Sequence, residues 1–316
     1  MGCGSIARKF RNSMDAVDNG VVSTCASRTP GKADAFASEF NIPESFDRYE
    51  DMLCRPDVEA VYVATTHNYH HECVMMCLDH GKAVLCEKPL AVNAGQTLEM
   101  VNSAREKKLF LMEGMWTRFL PAIRQMKAWI YSGEIGVIKM IRADFCFHAG
   151  FNPESRLFNP GLAGGALLDA GVYPVSLASH VMGEQPVNIK ALADIGETGV
   201  DEQSAYLFSY SDGRIALLSA AVKSASENRA EISGTKGRIV IPSRFLGAQD
   251  VELHLDDGKS ICKHLPNGGP LSFSYEIQAA NDAVQAGELE LDEMPLDESL
   301  AIAETMDRIR TEFHSA

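Results

Sequence analysis

The first third of the chain alternates short β-branched runs with stretches whose apolar residues recur at helical spacing. Residues 21–27, 60–65, 83–87 and 109–113 read as strands, and residues 31–40, 69–80 and 94–107 as the helices between them. Such alternation implies parallel strands joined by crossover helices, ending near Glu113. From about Ile135 the pattern lengthens into two-residue alternation over 138–147, 189–193, 205–210 and 215–222, with further strands at 229–233, 238–241 and 251–255. Ser211-Asp212-Gly213 and Asp256-Asp257-Gly258 supply hairpin turns, and a largely antiparallel sheet is expected. Helices are predicted at 120–131, 167–182, 275–286 and 298–313.

Gly2, Gly4 and Ala7 form G-x-G-x-x-A ahead of a helical segment and the first strand of the alternation. Small residues there let the backbone approach a pyrophosphate, which the helix N-terminus then holds through its amides and dipole. The predicted fold is therefore α/β plus α+β. A Rossmann-type doubly wound parallel sheet occupies residues 1–115, and a second, α+β domain on a largely antiparallel open sheet occupies residues 116–316. A strand belongs before the first glycine, and only Met1 stands there, so the first strand of that sheet is expected to be missing from this sequence. About twenty residues past the glycines, Ser27-Arg28-Thr29 closes the next strand with a cation and no carboxylate. A guanidinium there pairs with a 2′-phosphate, so NADP is favoured over NAD.

The chain has 316 residues, with 29 Lys and Arg against 43 Asp and Glu, a net charge of −14. That balance argues against nucleic acid as a partner. No run approaches the 18 or so apolar residues of a membrane span, and no basic leader with an apolar run follows the start, so the expectation is a cytoplasmic protein with no membrane partner. Eight scattered cysteines read as free thiols. His70, His71, Cys73 and Cys77 share one predicted helix, but adjacent histidines diverge by about 100° and no second ligand pair follows, so no metal is assigned.

Lys88, in Glu87-Lys88-Pro89, ends an apolar run and so stands at the carboxyl end of a parallel strand, where open sheets bind ligands. Asp169 and Tyr173 are spaced i, i+4 and would share one helix face. Together these three make a proton-handling group. An ammonium about 4 Å from a phenol, at an effective dielectric of about 20, contributes about 4 kcal/mol, which lowers the phenol by about 3 pKa units toward neutrality.

The G-x-G-x-x-A turn, Val61-Tyr62-Val63-Ala64-Thr65 with His70, the Glu-Lys-Pro triplet, and Gly164-Gly165-x-x-Leu168-Asp169-x-Gly171-x-Tyr173 resemble the glucose-fructose oxidoreductase, inositol dehydrogenase and MocA (Gfo/Idh/MocA) family along nearly the whole chain. Glu113-Gly114-Met115-Trp116-Thr117-Arg118-Phe119-Leu120-Pro121, and Tyr173 where many relatives carry His, are most similar to its dimeric dihydrodiol dehydrogenase and D-xylose dehydrogenase branch. The resemblance implies Lys88 and Tyr173 as the catalytic pair, with Tyr173 as acid/base and Asp169 orienting the site. It implies cofactor contacts from Gly2, Gly4, Ser5, Ile6, Ala7, Ser27, Arg28, Thr65, His70, Glu87 and Lys88, and places Trp116 and Arg118 on the substrate side. The implied activity is hydride transfer between a nicotinamide and a carbinol or carbonyl carbon of a sugar or cyclic trans-diol, by a homodimer. Two other readings stand beside it: an anhydro-keto sugar reductase, and a non-catalytic NADP-binding sensor.

Overall fold

The computed structural model describes residues 1–313. The amino-terminal elements are α1 (Ser5–Ser13), β1 (Thr24–Ala26), α2 (Lys32–Phe40), β2 (Glu44–Phe46), α3 (Tyr49–Leu53), β3 (Ala60–Val63), α4 (His70–Asp79), β4 (Ala83–Glu87), α5 (Ala94–Lys107) and β5 (Leu111–Gly114). There follow α6 (Pro121–Tyr131), β6 (Ile138–Cys146), α7 (Val172–Met182), β7 (Asn188–Ile195), β8 (Asp201–Ser209), β9 (Ile215–Ala221), β10 (Ala230–Gly234), β11 (Gly237–Ile241), β12 (Asp250–Leu255), β13 (Ser260–His264), α8 (Ser274–Ala286) and α9 (Leu296–Glu312). Two compact units result: Met1–Trp116 with Gly268–Leu300, and Thr117–Asn267 with the chain from Ala301.

In the first unit all strand pairs are parallel, as the strand and helix alternation requires. β4 is buried along its whole length, which is why its sequence reads as an unbroken apolar run rather than an alternation. Val61, Val84 and Leu111 lie side by side across β3, β4 and β5 and form one core with Cys73, Val74 and Cys77 of α4. The two cysteines are thus apolar core residues. Asn93 caps α5 by accepting the Gln96 N–H at 2.9 Å, and Lys108 ends the helix in the left-handed conformation.

Two features differ from the single sheet and single boundary that the pattern suggested. The five strands fall into two groups, β1-β2 and β3-β4-β5, with Met1 and Gly2 between them. β2 and α3 were not legible, because each is too short to show a period. α8 also belongs with the first unit, since its polar side is fastened to the loop after α1. The Asp18 N–H donates to Gln278 at 2.9 Å, and Asn19 bonds both Gln278 and Asp282.

The second unit is built on an eight-stranded sheet in the order β13-β12-β11-β10-β6-β9-β8-β7, antiparallel throughout except at β6-β9. Buried and open positions alternate along β8, the mark of a sheet covered on one face. Leu192, Leu207 and Leu217 lie on the open face, exposed by 42 to 67%. The apolar stretch Pro160–Met182, which includes α7, is mostly buried within the protein.

Candidate active site

Candidate residues occur in both units. In the first, the loop after Met1 approaches β3 so closely that a Cβ on Gly2 would lie 2.7 Å from the Ala64 carbonyl oxygen, and Gly2 adopts φ +84°. Only glycine fits there. Gly4, by contrast, faces open space, with nothing within 4 Å of a Cβ placed on it. It is the N-cap of α1 with no side-chain cap, and the first turn of α1 carries no acidic residue. The first-turn amides of Ser5, Ile6 and Ala7 therefore point, uncapped, toward the space in front of Gly4. Those features fit a dinucleotide pyrophosphate.

Ser27 and Arg28 follow β1 directly. The Ser27 hydroxyl accepts the Thr29 N–H, and the Arg28 guanidinium stacks over the Tyr69 ring at 4.1 Å. The turn itself holds no acid, as the sequence suggested, but α4 brings one to it: Arg28 Nη1 lies 3.2 Å from Glu72 Oε1. Arg28 is thus engaged by an exposed carboxylate that a sequence scan of its own turn does not find.

Lys88 is buried immediately beyond β4. Its turn is held from two sides: the Pro89 carbonyl meets His70 Nδ1 at 2.8 Å, and the Leu90 N–H donates to Glu113 Oε1 at 3.0 Å, Glu113 being on β5. The other ring nitrogen of His70 lies 3.2 Å from the Thr65 carbonyl oxygen. Burial lowers the His70 pKa, so the neutral ring donates one N–H, and the shorter contact assigns it to Pro89. His70, on α4, therefore holds the Lys88 turn through the Pro89 carbonyl. Glu87 points elsewhere and accepts a hydrogen bond from the Tyr62 hydroxyl. Burial raises the Glu87 carboxyl, and burial with the Glu87 charge raises Glu276 well above 4.5. Both Glu276 oxygens are buried without a hydrogen-bond partner, which disfavours the ionised form. Glu276 was missed because a lone Glu in a helix reads as solvated. On this unit Trp116 stacks against Phe273, with ring centroids 5.0 Å apart.

In the second unit, Asp169 and Tyr173 do not share one regular α-helix. Leu167–Gly171 is a π-helical turn, and α7 starts at Val172. The spacing argument for one α face is corrected accordingly, since a π turn takes more residues than 3.6. A widened turn of this kind is often found at functional sites. Asp169 is buried and bound by Arg156 at 2.5 Å, and Tyr173 is 8% exposed with Phe145 edge-on to its ring at 5.5 Å. Asp201 accepts the Leu167 N–H at 2.7 Å and so fixes the start of the π turn. Gly165, at φ +113°, brings the backbone within 2.3 Å of Asp201 Oδ1 measured from a Cβ position, a place open only to glycine. Arg118 is buried, with its guanidinium on Ser176 one turn beyond Tyr173.

A parallel-stranded unit with an uncapped glycine turn and a lysine at a strand's carboxyl end defines an NAD(P)-binding oxidoreductase. Residues 1–115 match the model of the oxidoreductase family with an NAD-binding Rossmann fold, and residues 123–240 match the Gfo/Idh/MocA C-terminal domain. The chain belongs to the Gfo/Idh/MocA oxidoreductase family. It is 37% identical to a trans-1,2-dihydrobenzene-1,2-diol dehydrogenase of Xenopus tropicalis, over 94% of this chain and 90% of that one. It is 35% identical to the human protein of the same name, over 90% and 86%. Among solved structures, a 3-ketoreductase from Actinomadura kijaniata in complex with NADP and TDP-benzene superposes with a TM-score of 0.88 at 29% identity, covering 98% of this chain and 95% of that one. An aldose-aldose oxidoreductase from Caulobacter crescentus shares the fold, with a TM-score of 0.90 at 23% identity, over 100% and 96%.

Proposed function

We propose that this protein is an NADP-dependent oxidoreductase that moves a hydride between the nicotinamide and a carbinol or carbonyl carbon of a sugar or cyclic trans-diol. The observation that carries the reading is the buried Lys88, held by His70 and Glu113 at the carboxyl end of β4, in a chain so similar to dihydrodiol dehydrogenases. The bound cofactor supplies the hydride acceptor and donor. Uncapped amides of Ser5, Ile6 and Ala7 hold its pyrophosphate, and Arg28 selects a 2′-phosphate. Tyr173 takes the hydroxyl proton in oxidation and returns it in reduction, and Lys88 stabilises the phenolate. Asp169, oriented by Arg156, positions the π turn, while Trp116 and Arg118 shape the substrate side.

The same residues serve the reverse direction, and the likeness to an NADP-bound ketoreductase supports reduction of a keto sugar as the second reading. The exposed leucines of β7, β8 and β9 support a homodimer through the open sheet face, which sedimentation at micromolar concentration tests. The decisive assay follows nicotinamide absorbance with pentoses, hexoses and trans-dihydrodiols, and in reverse with keto sugars. Turnover with one of these classes is expected. NADP binding without turnover on any of them would point to a sensor instead.

A further inference from the structure

Cys3 is the middle residue of the Gly2-Cys3-Gly4 turn, and Cys25 is the middle residue of β1. The Gly2 N–H donates to the Ala26 carbonyl at 2.9 Å, which lays the turn along the end of β1, and the Cys3 thiol reaches the same carbonyl at 3.6 Å. The Cys25 thiol, one residue back on the strand, donates to the Ala33 carbonyl of α2 at 3.5 Å. Both side chains are buried in one apolar cluster with Ala7 of α1 and Ala33, Phe36 and Ala37 of α2. Within that cluster the two thiols also hydrogen-bond each other, and this contact pulls Cys3 below the ordinary thiol value while it raises Cys25. Burial raises the remaining buried thiols, Cys73, Cys77, Cys86 and Cys146. Cys3 is therefore the buried sulfur best able to ionise and attack, and Cys25 is in place to resolve the product.

We propose that Cys3 and Cys25 are a redox-modification site, which a peroxide converts to a disulfide that weakens dinucleotide binding at the glycine turn. The Cys3 thiolate attacks one oxygen of hydrogen peroxide, forming a sulfenic acid and expelling hydroxide, which takes up the proton that Cys3 gave up. The Cys25 sulfur then attacks the Cys3 sulfur, and the Cys25 proton leaves with the sulfenic hydroxyl as water. The thiols lose two electrons and two protons, and the peroxide becomes two waters.

The bond brings the sulfurs to about 2.05 Å, nearer than any hydrogen bond. Gly2 cannot follow, because it is bonded to Ala26 and seated against the Ala64 carbonyl. The displacement falls instead on Gly4, whose Cβ position faces open space, and on the first-turn amides of α1 behind it. Misaimed amides hold a pyrophosphate less well. This effect on affinity rests on the reading of the turn as the pyrophosphate site; the formation of the bond does not.

The test uses the full chain, free of cofactor, with Cys54→Ser and Cys262→Ser in place to remove the exposed thiols. It is treated with hydrogen peroxide and digested without reductant for mass spectrometry, and NADP affinity is read by fluorescence titration before and after treatment. The expected result is a linked Cys3–Cys25 peptide that a thiol reductant splits, with NADP affinity lowered by about tenfold or more and restored by the reductant. Adding Cys25→Ala should abolish the linked peptide, and saturating NADP should slow its formation. No linked peptide, or a linked peptide with unchanged NADP affinity, overturns the proposal. Failure of the reduced protein to bind either NADP or NAD would overturn the pyrophosphate reading and the affinity effect with it, while the linked peptide decides the bond separately.

Discussion

Arg118 grips Ser176 three times: Nε and Nη2 donate to the hydroxyl at 3.1 and 3.0 Å, and Nη2 donates to the main-chain carbonyl at 3.1 Å. Ser176 lies one turn after Tyr173 on α7, so a buried guanidinium sets where that helix, and its phenol, stand. Arg118→Met should lower unfolding stability by about 2 to 3 kcal/mol, because hydrogen bonds to a charged group are lost in a buried site. Urea denaturation measures this. Arg118→Lys should recover little, since an ammonium cannot reproduce the planar fork. An unchanged midpoint in both variants would show that Arg118 does not position α7.

Tyr173→Phe and Lys88→Met should each reduce turnover by about 100-fold or more while NADP affinity, read by fluorescence titration, stays near wild type. A loss of binding with no change in kcat would remove both from the proton-transfer step. His70→Phe removes the hydrogen bond to the Pro89 carbonyl without changing Pro89 itself. It should raise KM and lower kcat together by loosening the Lys88 turn.

Arg28 and Glu72 make opposed predictions about cofactor choice. Arg28→Asp should shift preference toward NAD, by loss of the phosphate's partner and by repulsion. Glu72→Gln removes the carboxylate that competes for the same guanidinium, so NADP affinity should rise a few-fold while NAD affinity is unchanged. Isothermal titration with both cofactors distinguishes them, and equal changes for NADP and NAD would remove Arg28 from the 2′-phosphate site.

Asp201 gives stability a pH dependence of definite sign. Burial is the main cause that pushes its carboxyl up from 3.8 to about 6, against the lowering effect of the Leu167 N–H and the Ser204 hydroxyl. Below about pH 4 the group is protonated in both folded and unfolded chains and has no effect. Between about pH 4 and 6 the unfolded chain releases the proton first, so stability falls as pH rises, and the full penalty of at most about 3 kcal/mol applies above that window. Asp201→Asn should therefore be more stable than wild type at about pH 7.5, with the difference vanishing near pH 4. Denaturation midpoints of the two proteins across this range check it. A difference independent of pH would contradict the assignment.

Sequence periodicity alone determined the parallel unit, the antiparallel unit and most of their elements, because a period of 2 or 3.6 is a local property of the chain. Gly2, Gly4, Lys88 and Tyr173 were legible for the same reason: their neighbours along the chain carry the motif. What the chain could not reveal locally is contact between distant segments. Glu72 reaches Arg28 from another helix, His70 and Glu113 hold the Lys88 turn from two different elements, and α8, starting at Ser274, joins the first unit long after β5 ends at Gly114. Asp169 and Tyr173 looked like partners on an α-helix, yet packing and the Asp201 bond to Leu167 sit beside a π turn that no periodicity announces. Local pattern sets which element forms; only three-dimensional packing decides which charges and hydrogen-bonding groups are left facing one another.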